Sequence, residues 1–132
     1  MGPDFFIIGA PKCGTTSLSE YLGHHPEIFI CDPKEPHFFD DDYTGRLPID
    51  WPQYLQYFQL ARPCHRAIGE ATPRYLRSEV AIPQILDFRP DARFIVMVRN
   101  PVDMAQAFHA NQVFQGDEDV DDFAVAWNLQ KN

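Results

Sequence analysis

Residues 5–22 read FFIIGAPKCGTTSLSEYL. The stretch begins as an apolar run suited to a covered strand and passes through a glycine-bearing turn. It ends with Leu18, Tyr21 and Leu22 on one face of a helix, which Pro26 stops. Gly9 and Gly14 have the spacing of the phosphate loop G-x-x-x-x-G-K-[ST], but Thr15 stands where that pattern has lysine, and Lys12 precedes the second glycine. In such a turn the backbone N–H groups converge on an anion, and the helix dipole adds positive potential. Lys12 adds a cation, and Thr15, Thr16 and Ser17 add hydroxyl donors. The loop lacks a lysine-then-hydroxyl pair to hold Mg²⁺ beside a γ-phosphate. The plainer alternative is a simple strand-to-helix turn with a solvated Lys12. It is the weaker reading, because several donors crowd around two glycines directly after a buried strand.

Working outward, RFIVMV (Arg93–Val98) is a second continuous apolar run of the kind covered on both faces in a parallel sheet. EIFIC (Glu27–Cys31) and HRAIGE (His65–Glu70) are weaker strand candidates. Helical patterns lie between them: WPQYLQYFQLA (Trp51–Ala61) with Pro52 in its first turn, EVAIPQILDF (Glu79–Phe88), and a helix opened by Asn100-Pro101 with Met104, Ala105 and Phe108 on one side. Asp121 or Asp122 caps FAVAWNL (residues 123–129). Trp51, Trp127 and the phenylalanines at helical spacing are expected in the core. Strands alternating with helices predict a single α/β domain over residues 1–132, a P-loop-like parallel sheet flanked by helices.

The 132 residues are 45% hydrophobic and 14% aromatic, enough for a packed core. A net charge of −8 excludes an extended nucleic-acid surface, so no nucleic-acid partner is expected, though a local basic cleft is compatible with it. No apolar run approaches the ~18 residues of a membrane span. The three cysteines, Cys13, Cys31 and Cys64, lack metal spacing, and the expected setting is reducing and cytoplasmic.

PKCGTTSL (Pro11–Leu18) resembles the 5′-phosphosulfate loop of sulfotransferases that use PAPS, 3′-phosphoadenosine 5′-phosphosulfate. Three further segments agree in order. KEPHFFD (Lys34–Asp40) is similar to the segment carrying the catalytic glutamate in heparan-type and bacterial members. GEATPRYL (Gly69–Leu76) resembles their E-[KA]-[ST]-P-x-Y segment, and VMVRNPVDMAQAFH (Val96–His109) resembles the 3′-phosphate strand and helix. The resemblance implies PAPS as co-substrate, 3′,5′-adenosine bisphosphate as product, and no metal. It implies a donor site of Pro11, Lys12, Cys13, Gly14, Thr15, Thr16, Ser17 and Arg99, with Lys12 on the sulfate-bridging oxygen and Arg99 on the 3′-phosphate. It makes Lys12, Glu35 and His37 the catalytic set, with Glu35 as base on an acceptor hydroxyl and His37 and Asp40 as orienting or acceptor-binding groups. The acceptor would be a small molecule, lipid or saccharide. Ala107 departs from the family pattern, which has a serine on the 3′-phosphate there; Ala71 and Met104 stand where a lysine and an arginine are common.

Family domains continue past the 3′-phosphate helix, so the chain is expected to be a partial domain, truncated at its C-terminus, with an exposed sheet edge or apolar face and a tendency to self-associate. Two other readings stand beside sulfuryl transfer: a non-catalytic nucleotide-binding remnant, and a kinase-like phosphoryl transferase. Without the resemblance, Glu35 reads as a loop carboxylate paired with Lys34, and His37 as a structural histidine. The run Asp40–Asp42 then reads as a solvated loop, and Arg74 and Arg77 as solvated surface.

Overall fold

The computed structural model describes residues 2–44 and 48–130. Four strands, β1 (Phe5–Gly9), β2 (Ile28–Ile30), β3 (Ala67–Ala71) and β4 (Arg93–Val96), form one sheet in the order β2-β3-β1-β4, with every pairing parallel. The helices are α1 (Thr15–Gly23), α2 (Trp51–Gln56), α3 (Ala81–Phe88), α4 (Pro101–Gln115) and α5 (Phe123–Leu129), with a 3₁₀ turn over Pro73–Arg77. This is the flanked parallel sheet that the alternating pattern predicts.

The central strand, β1, is buried along its whole length. Because side chains alternate across a strand, Phe6 and Ile8 enter one core with Phe39, Tyr54, Phe58, Tyr75 and Ile85. Phe5 and Ile7 enter the other, with Ala71 and the partly buried Leu18, Leu22, Ile28 and Ile30. β4 lies at the sheet edge with a strand on one side only. Phe94 and Ile95 are therefore half-buried, while Arg93 and Val96 are exposed. The run was expected to stay covered through Val98; the strand ends at Val96, and Val98 is 82% exposed.

The helices follow their caps. Asp50 and Gln53 form a reciprocal capping box, each side chain accepting the other's backbone N–H at 2.8 Å. α2 was expected to reach Ala61 but stops at Gln56. Beyond it the chain continues in tighter i→i+3 bonds, Phe58 N–H to Leu55 O at 3.1 Å and Gln59 N–H to Gln56 O at 3.2 Å, which still deliver Phe58 to the core. α3 begins at Ala81 rather than Glu79, because Ser78 Oγ accepts from Ala81 N and Asp42 Oδ2 accepts from Glu79 N. Of the run Asp40–Asp42, expected to be a solvated loop, Asp41 and Asp42 are exposed but Asp40 is fully buried, and Asp42 also accepts from Ser78 Oγ at 2.7 Å. Asn100 caps α4, and Asp122 caps α5.

Other expectations about the core need correcting. Thr15, Leu18, Ser19 and Leu22 make up the inward arc of α1, and Tyr21 falls outside it, 76% exposed. Phe114 and Trp127 are exposed on α4 and α5, beyond the reach of the sheet; Trp51, only partly exposed, does pack edge-on against Phe88 at 4.8 Å.

Candidate active site

The turn after β1 sits hard against the 3₁₀ turn. A Cβ on Gly9, whose φ is +154°, would lie 2.7 Å from Leu76 Cβ and 3.1 Å from Pro73 O, so no larger residue fits. Lys12 adopts φ +60° and Gly14 φ +87°, which turns the chain into α1. No side chain caps that helix start. The N–H groups of Thr15, Thr16 and Ser17 precede the first intrahelical bond, Leu18 N to Gly14 O at 3.0 Å, and therefore point out unspent. Thr15 is buried, and Thr16 faces the cleft beside Lys12. Cys13 and Ser17 belong to the same turn but do not form the cleft wall, and the Cys13 thiol turns back to Pro11 O at 3.5 Å.

The second contributor is the loop after β2. Its backbone is anchored to β3 by Cys31 N donating to Gly69 O at 3.0 Å and Glu35 N to Ala71 O at 3.1 Å. Glu35 and His37 take φ +62° and +53°. Such backbone is costly for side-chain-bearing residues and persists only where the surroundings enforce it. Part of the enforcement is Tyr75, fully buried, whose hydroxyl accepts the N–H groups of Phe38 at 2.9 Å and Phe39 at 3.3 Å. Tyr75 in turn bonds the Glu70 carboxyl, which Tyr54 and Thr72 also hydrogen-bond. Burial pushes the Glu70 pKa up, against those hydroxyls, which pull it down.

These two segments meet through Lys34, whose ammonium donates to Thr16 Oγ1 at 3.0 Å and to Glu35 Oε1 at 2.8 Å. His37 lies between two carboxylates, with Nε2 at 3.5 Å from Glu35 Oε2 and Nδ1 at 2.8 Å from Asp40 Oδ2. Glu35, foremost, and then Asp40 hold the imidazole pKa above its ordinary 6.5, against the effect of burial. The bond from His37, followed by Lys34, depresses Glu35 to about 2 despite its partial burial. A carboxylate held ionised at neutral pH thus stands one lysine away from the phosphate-type turn.

The cleft between them has a volume of about 790 Å³. Lys12, Lys34, Arg74, Arg77 and Arg99 line it against two carboxylates, Glu35 and Asp117, a basic site within an acidic chain. Arg99, at the carboxyl end of β4, donates to Lys12 O at 3.4 Å. Lys12 Nζ donates to Asn111 Oδ1 on α4, and Ala107 faces the same cleft one turn earlier. Arg74 and Arg77, expected on the solvated surface, are delivered to the cleft by the 3₁₀ turn, and Arg74 also lies over the Tyr43 ring at 5.1 Å. Sequence reasoning missed Asn111 and the Tyr75–Glu70 support; the motif around Glu70 was visible, but nothing in it marks Tyr75 as an acceptor for a distant loop. Among the described residues no three His, Cys, Asp or Glu side chains gather to hold a metal, and no helix is long and apolar enough to cross a membrane.

The chain matches the family profile described as "Sulfotransferase domain" over residues 2–131. It is 34% identical to the membrane-associated sulfotransferase kil1 of Dictyostelium discoideum over 76% of its own length and 21% of that protein's. It is 37% identical to heparan sulfate glucosamine 3-O-sulfotransferase 6 of Mus musculus over 82% of its length and 30% of that protein's. The crystal structure of a sulfotransferase from Alicyclobacillus acidocaldarius superposes with a TM-score of 0.87 at 36% identity, covering 94% of this chain and 55% of that one. The chain thus spans about a third or less of these two curated relatives.

Proposed function

The chain belongs to the sulfotransferase domain family, and from that premise we propose that it moves the sulfuryl group of PAPS to the hydroxyl of an acceptor. The observation that carries this reading is the Lys34 bridge, which brings the uncapped start of α1 and the ionised Glu35 to one cleft. The residues fit the donor. Unspent N–H groups and Thr16 suit the 5′-phosphate, Lys12 the bridging oxygen, and Arg99, with Arg74 and Arg77 across the cleft, the remaining phosphate charge.

In this reaction the acceptor oxygen forms a bond to sulfur as the bond from sulfur to the 5′-phosphate oxygen breaks. The acceptor proton passes to Glu35, and 3′,5′-adenosine bisphosphate leaves with its new charge neutralised by Lys12 and the loop N–H groups. His37 fixes the Glu35 carboxylate from the other side. No step requires a metal. The three unpaired cysteines support a reducing, cytosol-like setting.

Calorimetry with 3′,5′-adenosine bisphosphate against ATP, with and without Mg²⁺, tests the donor site. Preference for the bisphosphate without Mg²⁺, lost in Lys12→Ala, is expected; preference for Mg·ATP would overturn the assignment. Bisphosphate binding without sulfuryl transfer to any hydroxyl would identify the chain as a nucleotide-binding remnant.

A further inference from the structure

Lys12 is held at both of its ends by the stretch that follows β4. Its carbonyl accepts from Arg99 at 3.4 Å, and its ammonium donates to Asn111 Oδ1 on α4. Its own backbone is left-handed, at φ +60°. Asn111 sits inside α4, where asparagine is a poor helix former, and no residue of that helix is buried. Neither helix propensity nor core packing therefore accounts for it. Among the described residues its side chain makes one hydrogen bond, the one it accepts from Lys12. The two lysines of the cleft are thus treated differently. Lys34 is paired with a carboxylate, Glu35, at 2.8 Å. Lys12 has a neutral amide oxygen as its partner. A neutral acceptor fixes the direction of a cation without cancelling its charge. A lysine so fixed has also given up, before any ligand arrives, much of the rotamer freedom that binding would remove.

We propose that Asn111 is the positioning residue of Lys12, holding the ammonium extended and fully charged for the anion seated at the start of α1. The inference rests on the sulfuryl-transfer reading of the cleft and adds a residue of α4 that acts, through Lys12, on the 5′ end of the donor. A carboxylate at this position would hold the lysine more strongly and spoil it, because its charge would offset the one offered to the ligand. An apolar side chain would release Lys12 to solvent and to the cleft carboxylates, Glu35 and Asp117. Only a neutral acceptor keeps both the direction and the charge.

The probes are 3′,5′-adenosine bisphosphate and 5′-AMP, titrated calorimetrically into the wild type, Asn111→Leu and Asn111→Asp, with urea denaturation of each. Asn111→Leu should weaken the bisphosphate by about tenfold, the scale of one freed lysine side chain, and Asn111→Asp by more. Both variants should weaken 5′-AMP by the same factors, since Lys12 acts at the 5′ end. The urea midpoint of Asn111→Asp should nevertheless stay at or above that of the wild type, because an ion pair replaces a neutral hydrogen bond. In a Lys12→Ala background Asn111→Leu should cost nothing further. Unchanged or tighter bisphosphate binding in both variants would overturn the proposal. So would a loss in Asn111→Leu that persists without Lys12, or a loss of affinity that merely follows lost urea stability in both variants. A wild type that prefers Mg·ATP to the bisphosphate would instead overturn the sulfuryl-transfer reading on which the proposal rests.

Discussion

Tyr75 accepts the backbone N–H of Phe38 at 2.9 Å across 37 residues of sequence. The loop that presents Glu35 and His37 in left-handed backbone is thereby propped from beneath by a fully buried phenol. Tyr75→Phe keeps the ring and removes the acceptor of two N–H groups. A buried donor left unpaired costs about 1–3 kcal/mol, which urea denaturation should read as lost stability. With the loop less firmly held, kcat should fall more than bisphosphate affinity; an equal loss of both would make Tyr75 a general core residue.

Glu35→Gln retains the shape of the side chain and removes its ability to take a proton. Sulfuryl transfer should drop by roughly 10²-fold or more, the usual scale for a general base, with bisphosphate affinity unchanged. Steady-state kinetics beside calorimetry separates the two. Intact kcat with weakened donor binding would assign Glu35 to the donor site instead.

The pH response should come from His37. Its folded pKa lies above the ordinary 6.5, so its ion pairs contribute fully below that value and are lost as pH rises through the folded one. Glu35 works in the opposite sense, contributing above its ordinary 4.5 and losing that contribution only as pH falls through about 2. Stability should therefore decline on the alkaline side of 6.5, in a step that His37→Gln removes. Over the same window Glu35 loses its neighbouring cation and becomes a stronger base, so kcat should rise in the wild type. Thermal melts and kcat, each measured against pH, check the two halves.

Ala107 faces the basic cleft one helical turn before Asn111. His109, a candidate to supply the missing hydroxyl's function, is turned away to Val120 and Phe123. Ala107→Ser should tighten 3′,5′-adenosine bisphosphate by roughly tenfold, since a hydrogen bond to a charged group is worth about 1.5–3 kcal/mol. Affinity for 5′-AMP should barely change. Equal effects on both ligands would show that α4 does not read the 3′-phosphate.

What could be read along the chain was local. The β1 run, the glycine turn, and the Asn100 and Asp122 caps each depend on residues within a few positions of one another, and each forms as its pattern predicts. What could not be read depends on distant partners. Arg74 and Arg77 look like solvated charges until the 3₁₀ turn, pressed onto Gly9, aims them into the cleft. Asp40 looks like one of three loop acids until it closes on His37. Phe114 and Trp127 have the spacing of core residues, but their helices pack beyond the sheet, and spacing alone carries no information on what a helix face meets.

The two helices that start at the carboxyl ends of β1 and β4 are unequal. α1 begins at Gly14 with no side chain on its first N–H groups, whereas Asn100 spends its own carboxamide on Val102 and Asp103 at the start of α4. One side of the cleft therefore offers a backbone socket, and the other offers side chains, Arg99 and the Asn111 carboxamide among them. A molecule with a phosphate at each end cannot turn around between them without exchanging a fixed seat for a movable one. In the proposed donor site, the direction of entry would thus be set by Gly14 and Asn100, neither of which takes part in the proposed transfer.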